Sequence, residues 1–243
     1  MHDVPGLCDA LALHDAPALH DVSGLCDVPD LCHIPTQNEM RQALVERHGK
    51  VLQEKLETAT VAICGLGGLG SNIAISLARA GVGRLILIDF DQVDISNLHR
   101  QQYKASQIGQ YKAEALTENL REIAPYIALT PYIERMDEGN FKALLCEADI
   151  ICEAFDDAQA KAMLVNAVLE HMPDKYLIAA SGMAGLGSAN TIKTRKIMKN
   201  FYLCGDEISD VADDIGLVSS RVMLCAAHQA HMVLRILAGQ LEV

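Results

Sequence analysis

Residues 60–102 read TVAICGLGGLGSNIAISLARAGVGRLILIDFDQVDISNLHRQQ, and this stretch decides the fold. It opens on a short apolar, β-branched run (Val61, Ala62, Ile63, Cys64) of the kind that makes a strand buried on both faces. A glycine-rich turn follows, Gly65-Leu66-Gly67-Gly68-Leu69-Gly70. The pattern then predicts a helix from Ser71 to about Ala80, stopped by Gly81 and Gly83. Residues 84–89, RLILID, read as a second buried strand that ends on an acid. Together these pieces form a phosphate cradle. Glycines let the backbone turn tightly and approach a ligand, while the first turn of the helix offers unpaired N–H groups and the positive end of its dipole. Gly65, Gly67, Gly68 and Gly70 are the candidate phosphate-binding residues. Asp89, at the strand tip, is placed to accept a hydrogen bond from a ribose hydroxyl.

Alone, this GxGxxG pattern fits a dinucleotide oxidoreductase as well as an ATP enzyme. The segment after the second strand separates them. Residues 89–102, DFDQVDISNLHRQQ, place Asp89, Asp91, Asp94, Asn97 and Arg100 at the end of a parallel strand where ligands bind. A hydride-transfer site needs little cationic charge there, whereas a triphosphate needs Arg and Lys as clamps. Four motifs, GLGGLGSN (65–72), ARAGVG (78–83), IDFDQVDISNLHRQQY (88–103) and GQYKAE (109–114), carry a resemblance to a known family. They resemble the ThiF/MoeB/HesA group of the ubiquitin-activating-enzyme superfamily. The likeness runs over most of residues 41–239 and is strongest to the shorter ThiF-type proteins.

Composition sets limits on this reading. The formal charge of −12 argues against nucleic acid as a bulk partner, and half of it comes from the six Asp among residues 1–35. An acidic body that binds ATP must concentrate its cations, which makes each Arg and Lys near the glycine loop informative. No apolar run approaches the length of a membrane span, and no Lys or Arg precedes an apolar core at the N-terminus. A cytoplasmic protein with no membrane partner is the expectation. None of the eight cysteines forms a C-x-x-C pair, so the structural zinc that two such pairs carry in much of the superfamily is not expected. Cys64, Cys146 and Cys152 lie in or beside apolar runs and read as small buried hydrophobes.

Residues 2–33 form a degenerate hexad repeat: HDVPGL, CDALAL, HDAPAL, HDVSGL, CDVPDL, then CHIP. His, Cys and Asp recurring every six residues suggest metal capture. Pro, Gly and Asp break both helix and strand, however, and six units are too few for a solenoid core. The repeat therefore reads as a low-complexity, disordered leader over residues 1–35, grown by duplication or by an upstream start codon, with the body at 36–243. Thr36-Gln-Asn-Glu39 matches a capping box, and the apolar spacing through Leu56 predicts one amphipathic helix. Farther on, residues 109–124 give a helix stopped by Pro125. Lys112 near its start is misplaced for a purely structural cation, and an anion held nearby explains it. Residues 127–133 predict a third strand, and 149–157 a fourth that ends in Asp156 and Asp157, with Asp157 suited to cap the next helix. Residues 175–180 and 190–196 predict two more strands, and 217–237 a long final helix. Its Cys225, His228 and His231 read as core and face residues, because no fourth ligand accompanies them.

The resemblance implies a Rossmann-like α/β fold, a doubly wound, mostly parallel sheet whose last strands run antiparallel. It implies ATP-dependent adenylation of the C-terminal Gly-Gly carboxylate of a small ubiquitin-like sulfur carrier, ThiS-like and in thiamine biosynthesis, with ATP and Mg²⁺. By the same resemblance Asp89 faces the ribose with Asp91 beside it. Asn97, Arg100 and Lys112 serve the phosphates and leaving group, and Asp156 helps hold Mg²⁺. The family places an arginine ahead of the loop that reaches a neighbouring subunit's nucleotide, which implies a homodimer. Arg47 is the better candidate and Arg41 the other. Some members carry the activated partner on a late cysteine, here Cys204, although the acids at 206–214 oppose a nucleophilic thiol. Three alternatives stay open: a tRNA threonylcarbamoyladenosine dehydratase-like ATP enzyme, a nicotinamide (NAD) oxidoreductase, and a non-catalytic nucleotide-binding member.

Overall fold

The computed structural model describes residues 34–212 and 215–243, so the hexad repeat of residues 2–33 lies outside the described residues. Thr36 and Glu39 close the capping box reciprocally: the Thr36 hydroxyl accepts from the Glu39 N–H, and the Glu39 carboxylate accepts from the Thr36 N–H. Helix α1 (Gln37–His48) starts there. The one helix predicted for this region is two. Gly49 stands at φ +86°, a conformation glycine takes freely and other residues resist, and the chain turns before α2 (Lys50–Thr58). Apolar spacing continues across the break, so periodicity alone reads one helix.

Strand β1 (Thr60–Cys64), helix α3 (Gly68–Ala80) and strand β2 (Arg84–Ile88) follow in the predicted order. Helix α3 begins at Gly68, three residues before the predicted Ser71. The carbonyl of its N-cap, Gly67, accepts from both the Ser71 N–H and the Ser71 hydroxyl. It ends where predicted, at Gly81 in the left-handed conformation (φ +85°). The chain continues through α4 (Lys112–Ile123), β3 (Ala128–Tyr132), α5 (Phe141–Leu145), β4 (Ile150–Glu153), α6 (Ala158–His171), β5 (Tyr176–Ala180), β6 (Lys193–Met198), β7 (Phe201–Gly205) and α7 (Ser219–Ala238). Strand β4 stops at Glu153, short of the predicted acidic end, because the Phe155 N–H bonds the Glu153 side chain and not a neighbouring strand. Asp156 and Asp157 thus lie in the loop beyond. Asp157 caps α6 as predicted, accepting from the Ala160 N–H at 2.8 Å.

The seven strands form one sheet in the order β3-β2-β1-β4-β5-β7-β6. All neighbours pair in parallel except β6 with β7. The chain winds outward from β1 through β2 to β3, then returns to the other side of β1 as β4. That reversal leaves a crevice at the C-terminal ends of β1 and β4, where open α/β sheets bind ligands. Each central strand serves two cores. Val61 and Ile63 face the layer that holds α3, α4 and α7; Ala62 and Cys64 face the layer of α5 and α6. Both faces are therefore covered, as the unbroken apolar runs require. Cys64 and Cys152 are buried as predicted, whereas Cys146 is exposed, being the residue that ends the short α5. Among the described residues, no helix is long and apolar enough to cross a membrane.

Candidate active site

The glycine loop sits in that crevice, and its four glycines divide into two pairs. Gly65 has φ +91°, and a Cβ there would lie 2.7 Å from the Ala154 carbonyl oxygen; a Cβ on Gly70 would strike the Gly65 oxygen at 1.8 Å. Gly65 lets the glycine loop close on the loop after β4, and Gly70 lets the first turn of α3 close on the glycine loop itself. Gly67 and Gly68 border side chains instead: a Cβ on Gly67 would meet Gln101 Nε2 at 3.7 Å, and one on Gly68 would meet Val222 Cγ1 at 2.8 Å and Arg100 Cγ at 3.5 Å.

Asp89 braces the loop. Its Oδ2 accepts from the Leu66 N–H at 2.7 Å and its Oδ1 from the Asp91 N–H at 2.8 Å, while the Tyr103 hydroxyl donates to the Leu66 carbonyl at 2.7 Å. Burial pushes the Asp89 carboxyl above its ordinary range, against the pull of Lys112 and the two backbone donors. Each oxygen of the predicted ribose acceptor is thus already engaged once by backbone, with a further lone pair to offer.

The two cations differ in their surroundings. Lys112, the first residue of α4, is nearly buried (7% exposed), and its ammonium contacts Asp91 Oδ2 at 2.8 Å. The anion that its position calls for is supplied by the chain itself. Arg100 has no carboxylate partner among the described residues. Its Nη1 donates to the Ser96 carbonyl at 3.1 Å and to His99 Nε2 at 3.3 Å, and its buried Nε has no partner among the described residues. Asn97 is engaged locally: its Oδ1 accepts from the Asp94 N–H at 3.1 Å, closing a short 3₁₀ turn.

The loop after β4 abuts the glycine loop, since the Ala154 N–H donates to the Cys64 carbonyl at 2.8 Å. Asp156 on this loop is exposed and has no bonded partner among the described residues. Behind it lies a pair that sequence reasoning missed. Glu153 is fully buried, its Oε2 receives Lys161 Nζ at 2.6 Å, and its Oε1 accepts from the Phe155 N–H at 2.8 Å. Burial raises the Glu153 carboxyl and Lys161 opposes the shift. Lys161 also donates to the Ala180 carbonyl at 2.9 Å, and Gln229 Nε2 to the Glu153 carbonyl at 2.9 Å, so β4, β5, α6 and α7 meet at one point. An acid inside the apolar run IICEAF was the available signal.

Arg41 is bound within the chain, its Nε and Nη2 reaching Glu57 at 2.8 and 3.0 Å; Arg47 is exposed and has no such partner among the described residues. Cys204 is not on a loop. It lies in β7 with 0% exposure, 3.5 Å from the Thr194 hydroxyl, and burial pushes its thiol up to about 12. That placement removes both the access and the thiolate that a carrier nucleophile needs. On α7, Cys225 is buried, His228 is half-buried with its Nδ1 2.9 Å from the Thr194 hydroxyl, and His231 is exposed, which places one in the core and the others toward the helix's outer face.

The model of the ThiF family matches residues 39–243. The chain belongs to the ThiF family. It is 28% identical over 206 residues to an adenylyltransferase and sulfurtransferase of Lodderomyces elongisporus, covering 82% of this chain and 45% of that protein. It is 41% identical over 113 residues to the molybdopterin-synthase adenylyltransferase of Escherichia coli, covering 46% of this chain and 45% of the other. The chain therefore spans less than half the length of these curated relatives. The solved structure of E. coli tRNA N6-threonylcarbamoyladenosine dehydratase in complex with ATP superposes with a TM-score of 0.76 at 18% identity. It covers 86% of this chain and 98% of that one, a likeness that shows the shared fold.

Proposed function

We propose that this ThiF-family chain is an adenylyltransferase that activates the C-terminal Gly-Gly carboxylate of a small ubiquitin-like sulfur carrier, ThiS-like and acting in thiamine biosynthesis. One observation carries the reading: two cations, Arg100 and Lys112, stand at a glycine loop that opens a helix, and Arg100 has a buried donor with no acceptor among the described residues. That set fits a polyphosphate. A nicotinamide site leaves it unexplained.

ATP supplies the adenylyl group that makes AMP, a good leaving group, out of one oxygen of a carboxylate. The chain's own residues then position and neutralise. Gly67, Gly68 and the first N–H groups of α3 take the phosphates; Asp89 and Asp91 flank the sugar; Arg100 and Lys112 offset the charge that gathers on the departing pyrophosphate. A general base is unnecessary, since the carrier carboxylate is already ionised at neutral pH. Mg²⁺ is usually held by one or two carboxylates together with substrate phosphates, and exposed Asp156 fits that role. The protein works as a cytoplasmic homodimer, with Arg47 reaching the partner's nucleotide.

The dehydratase reading has one favouring observation, near-full coverage of that solved chain. The charge of −12 speaks against a tRNA substrate. The deciding experiment is ATP–pyrophosphate exchange with Gly-Gly-ended carriers. Exchange should appear only with carrier, and Lys112→Ala should lower it by on the order of 10²-fold while leaving the fold intact. Tight NAD binding without exchange, or tRNA-dependent ATP turnover, would replace the proposal.

A further inference from the structure

Glu153 is a fully buried carboxylate at the end of β4, and Lys161 Nζ meets its Oε2 at 2.6 Å. Stability alone gives no reason for two charges there. Exchanging such a pair for well-packed apolar side chains often leaves a protein as stable or makes it more so, and the run around Glu153 is otherwise apolar. What the pair does that apolar side chains cannot is geometric. The ladder between β1 and β4 continues as far as the Ala154 N–H on the Cys64 carbonyl. The next donor, the Phe155 N–H, turns back onto Glu153 Oε1 at 2.8 Å, which takes the chain out of the sheet. Lys161 holds the carboxylate in that place and is itself tied to the Ala180 carbonyl of β5 at 2.9 Å.

The path of this turn has little room to vary. A Cβ on Gly65 would lie 2.7 Å from the Ala154 carbonyl oxygen and 3.1 Å from Phe155 Cδ1, so the chain after β4 runs directly against the glycine loop. On the far side, Asp157 caps α6 by accepting from the Ala160 N–H. Asp156 is therefore the single residue between two fixed points, the Glu153 turn and the α6 cap. Its own carboxylate is exposed and has no bonded partner among the described residues. Backbone held on both sides of an unengaged carboxylate makes a mount that keeps the acid aimed before any ligand arrives.

We infer that Glu153 is a positioning residue: with Lys161 as its counter-ion, it fixes where the Asp156 carboxylate stands, and it acts on a nucleotide-bound divalent cation only through Asp156. This rests on the nucleotide reading above and deepens it by naming what aims the acid. Two double variants separate the turn from the charges. Glu153→Leu with Lys161→Met removes both charges and the acceptor for the Phe155 N–H. Glu153→Gln with Lys161→Met also removes the charges but keeps an amide oxygen for that N–H.

The test is titration of each protein with ATP, with and without Mg²⁺, beside melting temperatures and amide hydrogen exchange. Both double variants should melt close to wild type. The first should lose about tenfold or more of the affinity that Mg²⁺ adds for ATP, and the second should recover most of it. The Phe155 amide should exchange slowly in wild type and in the second variant, and fast in the first. Adding Asp156→Ala to the first variant should cost no more affinity than Asp156→Ala alone, because the two changes act through one carboxylate. An undiminished effect of Mg²⁺ in the first variant overturns the inference. So do equal losses in the two double variants, or losses that add to that of Asp156→Ala, since both would reduce Glu153 to general packing. If the first variant does not fold, Glu153→Asp decides: it keeps a charge for Lys161 and withdraws the acceptor from Phe155, and a wild-type effect of Mg²⁺ there overturns the inference. Wild-type protein that binds no ATP overturns the nucleotide reading and this inference with it. Wild-type binding of ATP that Mg²⁺ does not strengthen overturns the inference alone.

Discussion

Lys112 concentrates the site's chemistry in one side chain. A lysine that is nearly buried at the start of a helix faces both desolvation and an unfavourable dipole, and Asp91, 48% exposed, is the anion that holds it. The same pair fixes α4 to the loop after β2, because the Lys112 N–H donates to the Asp91 carbonyl at 2.8 Å. An incoming phosphate competes with the Asp91 carboxylate for the ammonium. Asp91→Asn is therefore expected to lower the melting temperature of the ligand-free protein, leaving a near-buried cation without its counter-ion, and to enlarge the rise in melting temperature that ATP produces. An unchanged or smaller ATP-induced rise would mean that Lys112 keeps Asp91 in the bound state and that Asp91 serves the ligand in another way. Sequence reasoning reached Lys112 through the dipole argument but could not tell a resident anion from a bound one. Both put negative charge at the same place, and only the fold shows which carboxylate arrives there. Asp89 teaches the same lesson. Its place at a strand tip was legible, while its bonds to the Leu66 and Asp91 N–H groups depend on how the glycine loop turns.

At the scale of elements, the strands were legible because burial on both faces leaves continuous apolar runs, and Val61 to Cys64 and Leu85 to Ile88 are such runs. Helix limits were less so: Gly49 breaks an uninterrupted apolar spacing, and α3 starts inside the glycine loop, not after it. Least legible was the junction of α7 with the crossover after β5. Arg221, in the first turn of α7, is 6% exposed, pairs with Asp206 and donates to the Gly187 and Ser188 carbonyls at 2.7 and 2.9 Å. Burial works against the Asp206 charge. The backbone N–H groups of Ser209 and Ile208, the Ser209 hydroxyl and the Arg221 guanidinium outweigh it and lower the carboxyl to about 2. A carboxyl depressed in the folded state adds stability that is complete above its unfolded pKa, near 4, and that is lost as pH falls through about 2. Asp206→Asn should thus be less stable than wild type at pH 7, by on the order of 1 kcal/mol once solvent screening is allowed for. The gap should narrow as urea melts are carried from pH 4 to pH 2. A gap that is constant over that range would make the contribution of Asp206 one of shape and hydrogen bonding, not charge.

At the scale of the whole molecule, the open question is what covers α1. None of its 12 residues is buried, although an isolated helix of that length is marginal in water and most helices draw their stability from a packed face. Its capping box, the Arg41–Glu57 pair and its contact with α2 hold it to the body, and Leu44 comes within 2.7 Å of where a Cβ on Gly81 would stand. Arg47 projects from this helix into solvent without a partner among the described residues. A second copy of the chain would give α1 a face to pack on and Arg47 an anion to meet, which is the homodimer proposed above. Arg47→Ala and Lys112→Ala would then damage different halves of one shared site. Each variant alone should be nearly inactive in carrier-dependent ATP–pyrophosphate exchange. Mixed and allowed to exchange subunits, they form hybrid dimers in which one site carries both substitutions and the other carries neither. At equal mixing about half of the dimers are hybrids with one intact site each, so activity should recover to about a quarter of the wild-type value. Subunit exchange is checked independently by differently tagged copies pulled down together. Exchange without recovered activity would place Arg47 in the site of its own subunit or outside any site, and α1 would then need another partner.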